Sequence, residues 1–218
     1  MENTWIVIPV RDNDLDLNKA LDKLNGTYIC PEKYVGFEYN QETRDFAEVE
    51  KDHPHALEVG PDFNDRIILV HLEPGYAPVS GAVQLEDFDP INIYRVWNTG
   101  IKYAFDNGAD SVVLFNAVLD IDPFILSDSY DLMVQEDTEV VNISDGAVVM
   151  IASKSLIRAD EQFRIWFGDN DLYRRAEGVS STFRADWASV TQLDNIEFDD
   201  EFKAIVAEDE IKYQAKYE

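Results

Sequence analysis

The stretch WIVIPV at residues 5–10 decides the fold class, because a continuous apolar run of this length is typical of a strand covered on both faces of a sheet. Two later stretches have the same character, IILVHL at residues 67–72 and SVVLF at residues 111–115. These three stretches predict buried strands at the centre of the fold.

Helical segments separate the strands. Apolar residues recur at helical spacing over residues 15–24, before Asn25-Gly26, and over residues 93–105, before Asn107-Gly108. Asp89-Pro90 predicts the start of the second of these helices. Buried strands that alternate with helices predict an α/β fold whose mostly parallel sheet is flanked by helices.

The remaining segments are less regular. Residues 41–65 are polar and acidic and predict a helix plus a loop, and residues 73–89 are rich in proline and glycine and predict a long loop. Asp122-Pro123 predicts a short helical turn. Short strands are predicted at residues 27–30, 34–39, 140–143 and 147–152.

The C-terminal tail predicts an amphipathic helix that packs on the domain or on a second subunit. We therefore expect one domain over residues 1–195 and an acidic helical tail over residues 196–218, with a homo-oligomer as one use of the tail. The apolar stripe of this helix comprises Phe198, Phe202, Ile205 and Val206.

Charge limits the partners of the protein. The 218 residues include 44 Asp and Glu but 18 Lys and Arg, a formal net charge of -26. Such a chain repels phosphate backbones and anionic lipids, so neither a nucleic acid nor a membrane is an expected partner. The charge indicates solubility, or alternatively a need for a cation where a phosphorylated ligand binds.

The single cysteine and the lack of a targeting signal predict a cytoplasmic protein, in the host cytoplasm if the protein is viral. The single Cys30 excludes an intramolecular disulfide and a multi-cysteine zinc site. No apolar run approaches the length of a membrane span, about 20 residues. The N-terminus lacks the basic segment of a signal peptide.

Four landmarks resemble the inverting, family-2-type glycosyltransferases of the GT-A fold, and among these the small enzymes of bacteriophages. They occur in the family's order and extend from about residue 4 to about residue 193. The landmarks are the strand end Pro9-Val10-Arg11, the helix segment Trp97-Asn98-Thr99-Gly100-Ile101, the strand 112–115 followed by Asn116, and the acidic segment Trp166-Phe167-Gly168-Asp169-Asn170-Asp171-Leu172 with Arg175.

The resemblance implies transfer of a sugar, such as a hexose, from a nucleotide diphosphate to a hydroxyl of a protein or carbohydrate. The donor would contact Pro9, Arg11, Asn98, Gly100 and Asn116. For Arg11 a surface ion pair is an equal alternative, and for Asn98 and Gly100 the alternative is packing of the helix on the sheet.

The same resemblance implies residues that face the acceptor and remove its proton. Asp145-Gly146 and Trp166 would face the acceptor, with a hairpin turn and a core position as the alternatives. Asp169 would be the general base and Asp171 the second candidate, because a sugar hydroxyl needs a carboxylate to accept its proton. Either aspartate is alternatively an N-cap of the following helix.

The metal-binding positions of the family are altered. Asn116-Ala117-Val118 stands where an acid pair usually holds Mn²⁺ or Mg²⁺, and Thr191 stands where a histidine is usual. Asp120 and Asp122 could rebuild a cation site, although Asp122 more simply caps the turn at Pro123.

The three histidines predict little metal chemistry. His53 and His55 lack a convincingly spaced third ligand, and His71 is interpreted as a core residue. These departures leave two functions open, an active glycosyltransferase and a catalytically degenerate binding or assembly module of the same fold.

Overall fold

The computed structural model describes residues 3–10, 15–41, 44–87, 91–115, 119–143, 148–184, 187, 190–192 and 200–217. In chain order the elements are β1 (Thr4–Val10), α1 (Leu15–Leu24), β2 (Lys33–Asn40), β3 (Asp45–Asp52), β4 (Ile67–His71), β5 (Ala82–Glu86), α2 (Ile93–Asp106), β6 (Ser111–Leu114), β7 (Leu119–Ile121), α3 (Phe124–Gln135), β8 (Val140–Ile143), β9 (Val148–Ala152), α4 (Gly168–Arg175), β10 (Ser180–Phe183), β11 (Val190–Gln192) and α5 (Asp200–Tyr217).

Seven strands form one sheet in the order β10-β8-β9-β6-β1-β4-β5. Strand β1 lies near the centre and is parallel to both β4 and β6, with Val7 opposite Ile68 and Leu114. Strand β9 is antiparallel to its neighbours β6 and β8, whereas the pairs β4–β5 and β8–β10 are parallel. The predicted α/β fold with a mostly parallel sheet is confirmed.

Side chains of β1 alternate between two hydrophobic clusters, one on each face of the sheet. Ile6 and Ile8 belong to the cluster that includes Leu24 of α1, and Val7 belongs to the cluster that includes Ile101 of α2. This alternation explains the continuous apolar runs, because neither face of the central strands is exposed to water. In the described part of the chain no helix is both long and apolar enough to cross a bilayer.

Gly100 sets the distance between α2 and the sheet. A Cβ atom at this position would lie 2.3 Å from Cγ1 of Val7, which is closer than side chains approach each other. A larger residue would push α2 away from β1. The packing interpretation of Gly100 is therefore confirmed.

Three sequence expectations are wrong in part. Residues 41–65 contain strand β3, which pairs antiparallel with β2, rather than a helix. Strand β5 interrupts the loop predicted at residues 73–89, and residues 27–30 form no strand beyond an isolated bridge from Ile29 to Val59. Strand β3 was not predicted because it is largely exposed, so its sequence lacks the apolar pattern by which a buried strand is recognised.

The ends of two helices also differ from expectation. Helix α2 begins at Ile93, and the Asn92 side chain accepts a hydrogen bond from the backbone N–H of Arg95, so Asn92 is its N-cap. Asp89-Pro90 lies outside the described residues. Helix α3 is longer than the predicted turn and runs over Phe124–Gln135.

Candidate functional site

The carboxyl ends of the parallel strands define the edge where ligands bind in sheets of this type. Strands β1, β4 and β6 end there at Val10, His71 and Leu114. Helix α2 begins at the same edge, because it follows the end of β5 after a short connection. Predicted site residues that lie outside the described part of the chain are Arg11, Asn116, Asp145 and Gly146.

Asp169 lies close to this edge. It is in the first turn of α4, and the hydroxyl of Tyr94, in the first turn of α2, contacts its carboxylate. Burial raises the pKa of Asp169, and this effect outweighs the backbone N–H groups and the Tyr94 hydroxyl, which lower the pKa. A partly buried carboxylate with a raised pKa suits a general base.

Gly168 allows the contact between α4 and Tyr94. A Cβ atom at Gly168 would lie 2.4 Å from two carbons of the Tyr94 ring, so the ring packs directly against the helix backbone. The Tyr94 hydroxyl donates a hydrogen bond to the carbonyl of Ile165 at 3.2 Å. Tyr94 therefore ties α2 to the start of α4, beside Asp169.

The loop before Asp169 is held by the C-terminal helix. One oxygen of the Asp209 carboxylate accepts hydrogen bonds from the backbone N–H groups of residues 164, 165 and 166, at 2.9, 2.8 and 3.1 Å. Asp209 itself is 0% exposed. The next residue, Phe167, has a φ of 64° and stacks on Tyr213 at 5.1 Å. Helix α5 thus fixes the backbone that presents Asp169.

Asp171 lies in a different environment from Asp169. Its side chain is 0% exposed and accepts hydrogen bonds from Nε of Arg175 at 2.7 Å and from the Tyr217 hydroxyl at 2.6 Å. Nζ of Lys216 lies 2.5 Å from Oδ1, the oxygen that also accepts the Tyr217 hydroxyl, whereas Arg175 binds Oδ2. Both oxygens of Asp171 are therefore engaged within the protein.

The other described site residues have distinct surroundings. The Asn98 side chain bonds both the N–H and the C=O of Ala159 and also donates to Glu161, so it fastens α2 to the loop after β9. Pro9 is partly exposed near the end of β1. Trp166 is 46% exposed, which argues against the core interpretation.

The Asp122 side chain binds the first residue of α3, at the turn through Pro123 where the sequence placed it, although Pro123 is the N-cap residue of the helix. Oδ1 of Asp122 accepts the backbone N–H of Phe124 at 3.0 Å, and its Oδ2 accepts the Tyr28 hydroxyl at 3.1 Å. Cys30 and His53 also face Oδ2, at 3.9 Å from Sγ and 3.5 Å from Nε2. Mg²⁺ and Mn²⁺ prefer oxygen ligands, and the neighbours of Oδ2 include a thiol, so Asp122 does not fit the role of holding such an ion on a diphosphate.

Asp120 and Thr191 are opposite each other in the two-stranded sheet β7–β11. The sequence placed both near the altered metal site, and the backbone pairing brings them together. Their side chains lie outside the described structure, as do those of residues 116–118.

The remaining histidines are packed among aromatic side chains. His71 bonds Oε1 of Gln84 at 3.1 Å and stacks on Tyr76, which confirms that it is a core residue with a partner. His55 stacks on Phe124 at 4.3 Å. Burial lowers the pKa of His53 and raises the pKa of Cys30 to about 12. The imidazole of His53 and the thiol of Cys30 are therefore both neutral at pH 7.

Sequence reasoning missed Tyr94, Asp209 and the contact of Cys30 with Asp122. Tyr94 and Asp209 lie within helical patterns, where nothing distinguishes them from ordinary helix residues. Cys30 and Asp122 are 92 positions apart, so no local motif connects them. All three gain significance from tertiary contacts.

A cavity of about 220 Å³ lies at the opposite edge of the sheet, where β4 and β5 begin and α1 ends. Its position argues against a donor site there, because ligands of such sheets bind at the carboxyl edge. The lining residues are Asn18, Leu21, Asp22, Asn25, Asn64, Ile67, Ser80 and Gly81.

Solved structures with a similar backbone confirm the GT-A-like α/β fold. Residues 1–349 of TarS from S. aureus match with a TM-score of 0.57 and 9% identity, over 85% of this chain and 59% of that one. The same TarS fragment in complex with UDP matches with a TM-score of 0.56 and 8% identity, with the same coverage. This chain therefore spans less than two thirds of the TarS fragment.

A cytidylyltransferase from Leptospira borgpetersenii has a TM-score of 0.52 and 10% identity, over 87% of this chain and 81% of that one. No protein-family model matches the sequence, and no curated protein is significantly similar to it. At such low identity the comparisons establish the fold alone.

Proposed function

We propose that the chain is a glycosyltransferase that moves a sugar from a nucleotide-diphosphate sugar to a hydroxyl group, with Asp169 as the general base. The observation that carries this proposal is the position of Asp169, at the ligand-binding edge of a nucleotide-sugar transferase fold. Its raised pKa and its contact with Tyr94 support the role.

The reaction follows from what a single carboxylate can do. The acceptor oxygen attacks the anomeric carbon while its proton passes to Asp169, and the bond from that carbon to the diphosphate breaks. The nucleoside diphosphate leaves with the electron pair. A single displacement of this kind inverts the anomeric centre.

Donor binding is assigned to the carboxyl ends of β1 and β6. In this proposal Pro9 lines the site, and Arg11 and Asn116 bind the donor, with Arg11 pairing with the diphosphate. The UDP bound to TarS supports a uridine nucleotide as the first donor to test. Asn98 contributes by positioning, because its amide is bonded to Ala159 and Glu161.

Acceptor binding is assigned to Trp166, Asp145 and Gly146. The exposed indole of Trp166 is three residues before Asp169 and offers a flat apolar surface on which a sugar ring can stack. A carbohydrate or a glycosylated protein is therefore the acceptor class. No step is assigned to a divalent cation, since Asp122 is committed to other contacts.

Purified protein should hydrolyse or transfer a nucleotide sugar, and Asp169→Asn should lower kcat at least about 100-fold. Asn170→Ala is the matched control, because Asn170 is exposed on the same turn of α4. Each reaction is run with Mn²⁺ and with a chelator. Failure of every nucleotide diphosphate and nucleotide sugar to raise the melting temperature, with either addition, would refute the proposal.

A second candidate function is a binding module that has lost catalysis. It is favoured by Val118 and Thr191, which replace the usual ligands of the family, and by the internal contacts of Asp171. A pure binder would retain its affinity for the nucleotide sugar in Asp169→Asn and would show no turnover as wild type.

A further inference from the structure

The hairpin β2–β3 lies outside the seven-stranded sheet, and three side chains connect its base to the start of α3. Cys30 precedes β2, His53 directly follows β3, and Asp122 lies between β7 and α3. The Sγ atom, one imidazole nitrogen and one carboxylate oxygen lie within 4.8 Å of one another. Three potential metal ligands thus converge from three separate segments.

One atom of this group has no partner. Nε2 of His53 is enclosed and accepts or donates no hydrogen bond among the described residues. His53 is 4% exposed, and its Nε2 faces Oδ2 of Asp122 at 3.5 Å. Buried polar atoms are almost always satisfied, so an unpaired nitrogen that faces a carboxylate points to a missing ligand.

The spacing of the donors fits a small ion. Zinc bonds of about 2.3 Å to sulfur and about 2.0–2.2 Å to nitrogen and oxygen place tetrahedral donors about 3.3–3.6 Å apart. The observed separations are 3.5 Å between Nε2 and Oδ2 and 3.9 Å between Sγ and Oδ2. Sγ lies 2.9 Å from Nδ1, the other ring nitrogen, so binding through Nε2 also requires Sγ and the imidazole to move relative to each other.

We propose that Cys30, His53 and Asp122 bind a structural Zn²⁺ ion that fastens the hairpin β2–β3 to the start of α3. A thiolate, an imidazole and a carboxylate are the ligand types that Zn²⁺ takes in proteins, whereas Mg²⁺ prefers oxygen alone. Binding displaces the thiol proton to the solvent.

Three protein ligands leave the fourth position of a tetrahedral zinc ion to water, but the surroundings enclose the ion. The ring of Trp187 lies 4.9 Å from that of His53, and Tyr34 lies 5.9 Å from it on the hairpin side. Cys30 is 0% exposed, so the ion would be shielded from substrate. The proposal is independent of the transferase function and uses none of the residues assigned to it.

The test uses the full chain, with Zn²⁺ and Co²⁺ as the probes. We expect about one Zn²⁺ per chain by elemental analysis after removal of loose metal, and a melting temperature about 5–10 °C higher than in chelator. Co²⁺ should give a sulfur-to-metal charge-transfer band. Cys30 is the only cysteine of the chain, so that band identifies the ligand without any variant.

Two variants complete the experiment. Cys30→Ser should abolish the Co²⁺ band and weaken Zn²⁺ binding at least about 100-fold. Removing a residue that only supports a metal ligand already costs about 10–100-fold in affinity, and removing the ligand itself should cost at least as much. Asp128→Asn is the matched control, because Asp128 bonds His55 but none of the three ligands. Absence of the band in wild type, or Zn²⁺ binding that survives Cys30→Ser or is lost in Asp128→Asn, would overturn the proposal.

Discussion

Asp169 and Asp171 are two positions apart on the same helix, yet the fold gives them opposite surroundings. Asp169 is beside a hydroxyl and close to the ligand-binding edge, with a raised pKa. Asp171 is enclosed by Arg175, Lys216 and Tyr217. At about 100° per residue their directions differ by about 200° around the helix, so Asp169 faces Tyr94 and Asp171 faces α5.

The raised pKa of Asp169 predicts a pH limit for activity. A general base must be ionised, so turnover falls as the pH drops through its pKa. We expect the acidic limb of kcat/KM to lie above the ordinary aspartate value of about 3.9, because burial raises the pKa of Asp169. A profile measured between about pH 4 and about pH 8 checks this, and a limb at or below the ordinary value would contradict it.

The two aspartates should also respond differently to amidation. Burial disfavours ionised Asp169 in the folded state, so Asp169→Asn should leave the free energy of unfolding unchanged or slightly higher at pH 7. Asp171→Asn should lower it by about 2–4 kcal/mol, because Arg175 and Lys216 lose a buried partner. Urea unfolding of both variants at pH 7 measures the difference, and equal losses would contradict the assignment.

Among the elements, α5 contributes most directly to the site. Its residues Asp209, Tyr213 and Tyr217 contact the segment from residue 164 to residue 171. The guanidinium of Arg174 lies over the rings of Tyr213 and Tyr217, at 5.1 and 4.6 Å. The tail therefore packs on its own domain, and self-association through the tail stays a prediction.

Asp209→Ala should test whether α5 positions Asp169. The variant leaves three backbone N–H groups, one buried and two partly buried, without their acceptor, so we expect a loss of about 2–4 kcal/mol in unfolding free energy. Turnover at a temperature where the variant is folded should fall in kcat more than KM rises. Glu208→Gln, on the exposed side of the same helix, should change neither quantity.

At the scale of the whole molecule, charge opposes compactness. A formal net charge of -26 on 218 residues places many carboxylates within reach of one another. Several ion pairs among the described residues join two exposed side chains, and such pairs contribute little. Self-repulsion should therefore be a measurable cost in the folded state.

Salt should stabilise the protein. Raising NaCl from about 0.1 M to about 1 M shortens the screening length from about 10 Å to about 3 Å, which weakens repulsion between distant carboxylates. We expect the melting temperature to rise by several degrees, with the larger part of the rise below about 0.5 M. A flat or falling melting temperature would show that the acidic surface carries no net repulsion.

The sequence by itself determined the central sheet and its helices. WIVIPV, IILVHL and SVVLF became β1, β4 and β6, and the helical repeats at residues 15–24 and 93–105 became α1 and α2. These elements were predictable because burial on both faces leaves a continuous apolar run, and burial of one helix face leaves a repeat of 3.6 residues. Both signals are local and strong.

The tertiary structure alone decided which side chains meet. The hairpin strand β3 lacks an apolar pattern, and the three ligands Cys30, His53 and Asp122 are distributed over 92 positions. The choice of Asp169 over Asp171 depends on contacts with α2 and α5, far away in the chain. The spacing of apolar residues in the sequence shows which face of a helix or strand is buried. A functional site depends on distances between separate elements, and only the folded chain fixes those distances.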